Sequence, residues 1–112
     1  LPRLIGTEQA KRLPFLDELW CADRALAAGL VGEVCADEQL LSVTGELAAR
    51  LAAGPTFAFA QTKKLMREGA ERSLPEQLQA ELAAGLLCGR SEDGNEALRA
   101  ATEKRPARFI GR

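Results

Sequence analysis

The stretch from Ser73 to Gly89 leaves the chain little conformational choice. Ser73 and Glu76 have the spacing of a capping box, and Pro75 sits where the first helical turn tolerates a missing amide hydrogen. Leu74, Leu78, Leu82 and Leu86 then recur every four residues. The pattern predicts a helix with one apolar stripe, closed at Gly89. The stripe has two possible uses, packing within the chain or docking against partner helices.

The remainder reads as further helices. Thr7 is a candidate cap for a first helix through about Leu13, which Pro14 should kink or end. Phe15 to Trp20 is ambiguous. A short helix opens at Cys21 or Ala22 and stops at Gly29, where a left-handed cap is expected. Leu30 to Cys35, with Val31 and Val34, reads as a brief extended segment too short to found a sheet. Asp37 is a candidate N-cap for a helix carrying Leu40, Thr44, Leu47 and Leu51 on one face, ended by Gly54 and Pro55. Another helix is expected from about Thr56 to Arg72, weakened late by Gly69, and a last one from Asp93 to about Lys104, with Pro106 barring continuation. The fold class is therefore mainly α, with five or six helices and at most one short extended segment.

Composition decides how well these helices can bury themselves. Hydrophobic residues make up 46% of the 112, but alanine supplies much of that share, and the aromatics are Phe15, Trp20, Phe57, Phe59 and Phe109. Alanine favours helix while contributing little burial energy, so the apolar faces call for more partner surface than the chain supplies. Fifteen basic against sixteen acidic side chains recommend neither nucleic acid nor an anionic membrane as partner. No apolar run reaches the roughly 20 residues of a membrane helix. No leader pattern is visible at the start, and three widely spaced cysteines, Cys21, Cys35 and Cys88, argue for a reducing compartment such as the cytoplasm and for small hydrophobic roles rather than disulfides.

The chemistry the chain can support is narrow. It has no histidine, which removes the commonest general base and the commonest zinc ligand, and no cysteine pair has metal-site spacing. Carboxylates such as Asp17 with Glu18, Glu33, Glu68 with Glu71, and Glu92 with Asp93 read as solvated faces and dipole partners. The glycines do not assemble into a phosphate-cradling loop. Lys104, Arg105, Arg108 and Arg112 form the one basic concentration that suits a site: they complement a helix C-terminus, or they bind a phosphate-rich ligand.

The order of these pieces resembles the enoyl-CoA hydratase/isomerase (crotonase) family. Leu1-Pro2-Arg3-Leu4-Ile5-Gly6 looks like the segment following that family's catalytic region, and Ala22-Asp23-Arg24-Ala25 with Gly29-Leu30-Val31 looks like its alanine-helix-to-GLV turn. Leu51-Ala52-Ala53-Gly54-Pro55 and Gln61-Thr62-Lys63-Lys64 are similar to its LA-x-GP and TK elements. Glu103-Lys104-Arg105-Pro106 through Phe109 is similar to its EKRPPRF ending.

The resemblance implies the C-terminal helical segment of a crotonase-like fold, with residues 1–35 ending the core and 36–112 forming an oligomerisation segment. It also implies an upstream spiral domain that binds an acyl-CoA thioester, holds its carbonyl between two backbone amides and carries the acid-base glutamates. An enolate-like oxyanion needs such donors, and the adjacent proton transfer needs a placed carboxyl group. On that reading no residue here is catalytic, no metal or cofactor is bound, and the chain alone is inactive. Its part is subunit assembly, as a trimer or dimer of trimers, and covering an active site, with Lys104 in the position of a lysine that contacts CoA phosphate. Ala101 stands where some hydratases place a pocket phenylalanine, and Pro14, Trp20 and Cys21 also depart from the commoner pattern. The alternative is a self-associating helical interaction module with no enzymatic duty.

Overall fold

A computed structural model describes residues 1–112 as helices joined by turns, without a β-strand. The helices are α1 (Pro2–Ile5), α2 (Thr7–Leu16), α3 (Ala22–Ala27), α4 (Leu40–Ala52), α5 (Thr56–Gly69), α6 (Leu74–Arg90) and α7 (Glu92–Glu103), with one 3-10 turn at Asp37–Gln39. Seven helices exceed the expected five or six because the short α1 precedes the helix expected from Thr7, separated from it by Gly6, whose φ is 79°. Leu30 to Cys35 forms bends and irregular backbone rather than a strand. The chain divides into two compact units, Leu1–Val43 and Thr44–Arg112.

In the first unit, α2 runs through Pro14 to Leu16 rather than stopping near Leu13, and Thr7 occupies its first helical position rather than its cap. The helix ends instead at Asp17, which adopts the left-handed conformation (φ 49°) while the Glu18 amide donates to the Leu13 carbonyl. Aspartate tolerates that conformation better than most residues, so a polar residue does here what glycine does elsewhere. Gly29 ends α3 as expected, at φ 74°, with the Leu30 amide donating to the Ala25 carbonyl. Ile5, Ala10 and Ala25 are the unit's buried apolar residues.

In the second unit α5 packs on α6, and α6 on α7. The capping box opens α6: the Ser73 amide and hydroxyl both donate to the Glu76 carboxylate, at 2.8 and 2.7 Å. The helix passes through Gly89, where a stop was expected, and ends at Arg90. Ser91 then serves as its C-cap and as the N-cap of α7, accepting the Gly94 amide at 2.9 Å. Asp93, the expected cap, lies inside the first turn of α7. This abrupt joint depends on Gly94, because a Cβ there would lie 2.1 Å from the Cys88 carbonyl oxygen. Helix α5 stops at Gly69 rather than Arg72, and Arg72 is tied back to Glu68.

Only Ala84 and Ala100 are buried apolar residues in this unit, beside the buried Asp93. Leu74, Leu78, Leu82, Leu86 and Leu87 all remain more than half exposed along α6. The α6 stripe is therefore not consumed by packing within the chain. The alanines pack well and bury little, as the composition led one to expect.

Candidate functional site

The C-terminus of α7 leads into the basic residues that the sequence singles out. The helix closes on Lys104, a lysine in the left-handed conformation (φ 52°). The Lys104 amide donates to the Ala101 carbonyl and the Arg105 amide to that of Ala100, the paired bonds of a Schellman turn. The turn sends residues 105–112 back along α7.

Glu96 anchors this return. Its carboxylate accepts both Nη atoms of Arg105, at 2.6 and 3.0 Å, and the Arg108 amide at 2.9 Å. Arg105 also donates through Nε to Glu103. The Arg105 hydrogen bond, and after it the Arg108 amide, hold the Glu96 carboxyl down at about 2, and the same carboxylates raise the Arg105 guanidinium above its ordinary value. A fork of this kind holds two planar groups in one geometry.

Asp93 anchors the rest of the tail. Its side chain accepts the Ile110 and Gly111 amides at 2.7 and 2.9 Å, and its own amide donates to the Arg112 carbonyl at 2.8 Å. With this clasp closed, Phe109 lines a small cavity of about 150 Å³ with Pro55, Ala58, Cys88 and Ala97. A wider hollow of about 500 Å³ lies against Glu96, Arg105, Pro106 and Arg108.

The four basic residues of the tail thus separate into two kinds. Arg105 is committed to Glu96 and Glu103, and Arg112 pairs with Glu92 at 3.0 Å. The side chains of Lys104 and Arg108 are exposed and make no ion pair, so these two cations are available to an anion. The sequence groups all four and shows neither anchor: Asp93 reads as a cap, and Glu96 stands in no motif. The available signal was their i, i+3 spacing, which puts two carboxylates on one face of α7, the face a reversed tail would meet.

Elsewhere, Glu18 is the hub of the first unit. It accepts from Arg12, Arg24 and the Trp20 indole at 3.2 Å, and the Arg24 guanidinium lies 4.4 Å from the Trp20 ring centroid. All three cysteines are unpaired; Cys21 is exposed, and Cys35 and Cys88 are partly so. None of them is the buried small hydrophobe that the sequence suggests.

A family model described as Enoyl-CoA hydratase/isomerase matches residues 1–112. The chain belongs to the enoyl-CoA hydratase/isomerase family. A probable enoyl-CoA hydratase of Rhodobacter capsulatus is 37% identical over all 112 residues, which span 44% of that protein. A 1,2-epoxyphenylacetyl-CoA isomerase of Escherichia coli is 33% identical, again over the whole chain and 43% of its own length. Among solved structures, an enoyl-CoA hydratase/isomerase from Mycobacterium abscessus superposes with a TM-score of 0.96 at 37% identity, covering 99% of this chain and 43% of that one. A Pseudomonas aeruginosa protein is 70% identical across 72% of this chain and 34% of its own, with a TM-score of 0.69. The chain thus spans less than half the length of the family members it matches, and within its span it has their crotonase-like helical fold. None of its helices is long and apolar enough to cross a membrane.

Proposed function

We propose that this chain is the assembly and active-site-covering part of an acyl-CoA-processing hydratase or isomerase, acting in the cytoplasm. Polypeptide outside these 112 residues supplies the oxyanion amides and the acid-base glutamates. In this reading Lys104 takes a phosphate of the CoA thioester, and the chain associates with copies of itself as a trimer or a dimer of trimers.

The observation that carries the reading is the open leucine face of α6. Leu74 is 72% and Leu82 66% exposed in a chain whose relatives are more than twice as long. An apolar stripe of this kind marks a surface made for other protein. Support for Lys104 comes from its place at a turn where the adjoining cation, Arg105, is neutralised by Glu96 and Glu103 while Lys104 is not.

Two measurements test the proposal. Sedimentation of the purified chain at micromolar concentration should show self-association, and a stable monomer would count against it. Calorimetric titration with coenzyme A should show binding that weakens in Lys104→Ala; an unchanged affinity defeats the phosphate role. The alternative, a helical interaction module without enzymatic duty, shares the first outcome but not the second. The chain alone should not hydrate a short enoyl-CoA, and turnover abolished by a substitution within it would overturn the division of labour.

A further inference from the structure

We infer that Glu96 is the positioning residue of the phosphate-binding turn, fixing where Lys104 and Arg108 present their charges. The inference rests on the reading that Lys104 takes a CoA phosphate, and adds to it a residue that touches no ligand. It also adds Arg108 as a second cation for the same anion.

The geometry behind it is specific. Lys104 sits in a backbone conformation that lysine adopts at a cost, so something must hold the turn there. Glu96 holds the chain leaving the turn at two points: the Arg105 fork fixes the residue after Lys104, and the Arg108 amide fixes the chain three residues further on. Its side chain is 12% exposed, against 36% for Arg105, so the carboxylate is enclosed by the groups it holds. Arg108 lines the 500 Å³ hollow with its amide pinned and its guanidinium unpaired. Neutralising Arg105 internally leaves the positive charge of the turn to the two cations that have no protein partner. A phosphate with several oxygens can be met by both.

A carboxylate beside an anion site also repels the anion, so the sign of the mutational effect separates the two roles. If Glu96 acted only as a nearby charge, removing it would strengthen CoA binding. As a positioning residue it should do the reverse, because a misplaced contact loses its energy even though the side chain remains.

The experiment is calorimetric titration of the 112-residue chain with coenzyme A, comparing wild type, Glu96→Gln, Lys104→Ala and the double variant. Glu96→Gln is expected to bind roughly tenfold more weakly, with Lys104→Ala costing less in that background than alone. Arg105→Lys keeps every charge but loses the fork, and is expected to weaken binding as well, which decides the matter where Glu96→Gln fails to fold. Wild-type or tighter affinity in Glu96→Gln or, where that variant does not fold, in Arg105→Lys overturns the inference if Lys104→Ala is weakened, and leaves the Lys104 reading standing. Strictly additive losses overturn it too. No binding of coenzyme A by the wild-type chain, or unchanged affinity in Lys104→Ala, overturns both.

Discussion

Asp93 and Gly111 lie 18 residues apart and meet through a 2.9 Å hydrogen bond from the Gly111 amide to the Asp93 carboxylate. With the Ile110 amide on its other oxygen, Asp93 is the one buried charged side chain, at 3% exposure. Gly111 has φ 83°, and a Cβ there would lie 2.6 Å from the Thr56 hydroxyl, so its lack of a side chain is part of the same clasp. Asp93→Ala strands two amide donors whose partner was charged, and should destabilise the chain by about 2–3 kcal/mol. Thermal unfolding measures the loss. Amide hydrogen exchange at residues 110 and 111 should rise with it, and protection unchanged at both would refute the clasp.

The Glu18 hub offers an optical test of acid sensitivity. Its carboxyl is held at about 2, chiefly by the Arg12 hydrogen bond and next by the Trp20 indole, against an ordinary 4.5. Because the folded value is depressed, the stabilisation is fully present above pH 4.5 and is lost as the pH falls through about 2. Trp20 is the sole tryptophan, so its fluorescence should stay constant down to about pH 4 and change only below about pH 3, with the midpoint rising in Arg12→Gln. A midpoint near 4.5 in the wild-type chain would show that the hub does not form.

How much of this was legible in the sequence depends on the reach of each signal. The capping box at Ser73 and the cap at Gly29 were readable because each is satisfied within a few residues of itself. The fate of Pro14 was not, since α2 runs on past it to close at Asp17, where glycine is the residue a cap rule looks for. Gly89 looked like a stop, but the stop is Ser91, which caps two helices at once and needs Gly94 to do so. At the candidate site the sequence supplied Lys104 and its basic neighbours. The two carboxylates that hold the reversed tail, Glu96 and Asp93, act across 9 to 18 residues, and that distance is visible only once the tail is seen to reverse.

Lys104 links stability and binding with opposite signs. Glycine takes a left-handed backbone without the penalty lysine incurs, so Lys104→Gly should stabilise the chain by about 0.5–1 kcal/mol. The same substitution removes an unpaired cation from the turn, and CoA affinity should fall. Chemical denaturation and calorimetry on one sample give both numbers. A variant less stable than wild type would mean the turn is not held as described; one more stable with full affinity would remove Lys104 from the site.

The leucine face of α6 gives the most direct test of assembly. Leu78 and Leu82 are 56% and 66% exposed, so replacing them inside this chain breaks little packing that the chain itself provides. Glutamate is a good helix former and disfavours burial of the face against a partner. The double variant Leu78→Glu, Leu82→Glu should therefore keep its helical circular dichroism while sedimenting as a smaller species than wild type. Loss of helicity instead would mean that the stripe is packed within the chain. An unchanged sedimentation coefficient from a self-associating wild type would move the assembly surface elsewhere, to the exposed Phe15, Leu16 and Leu19 in the first unit, which the corresponding glutamate variants would then report.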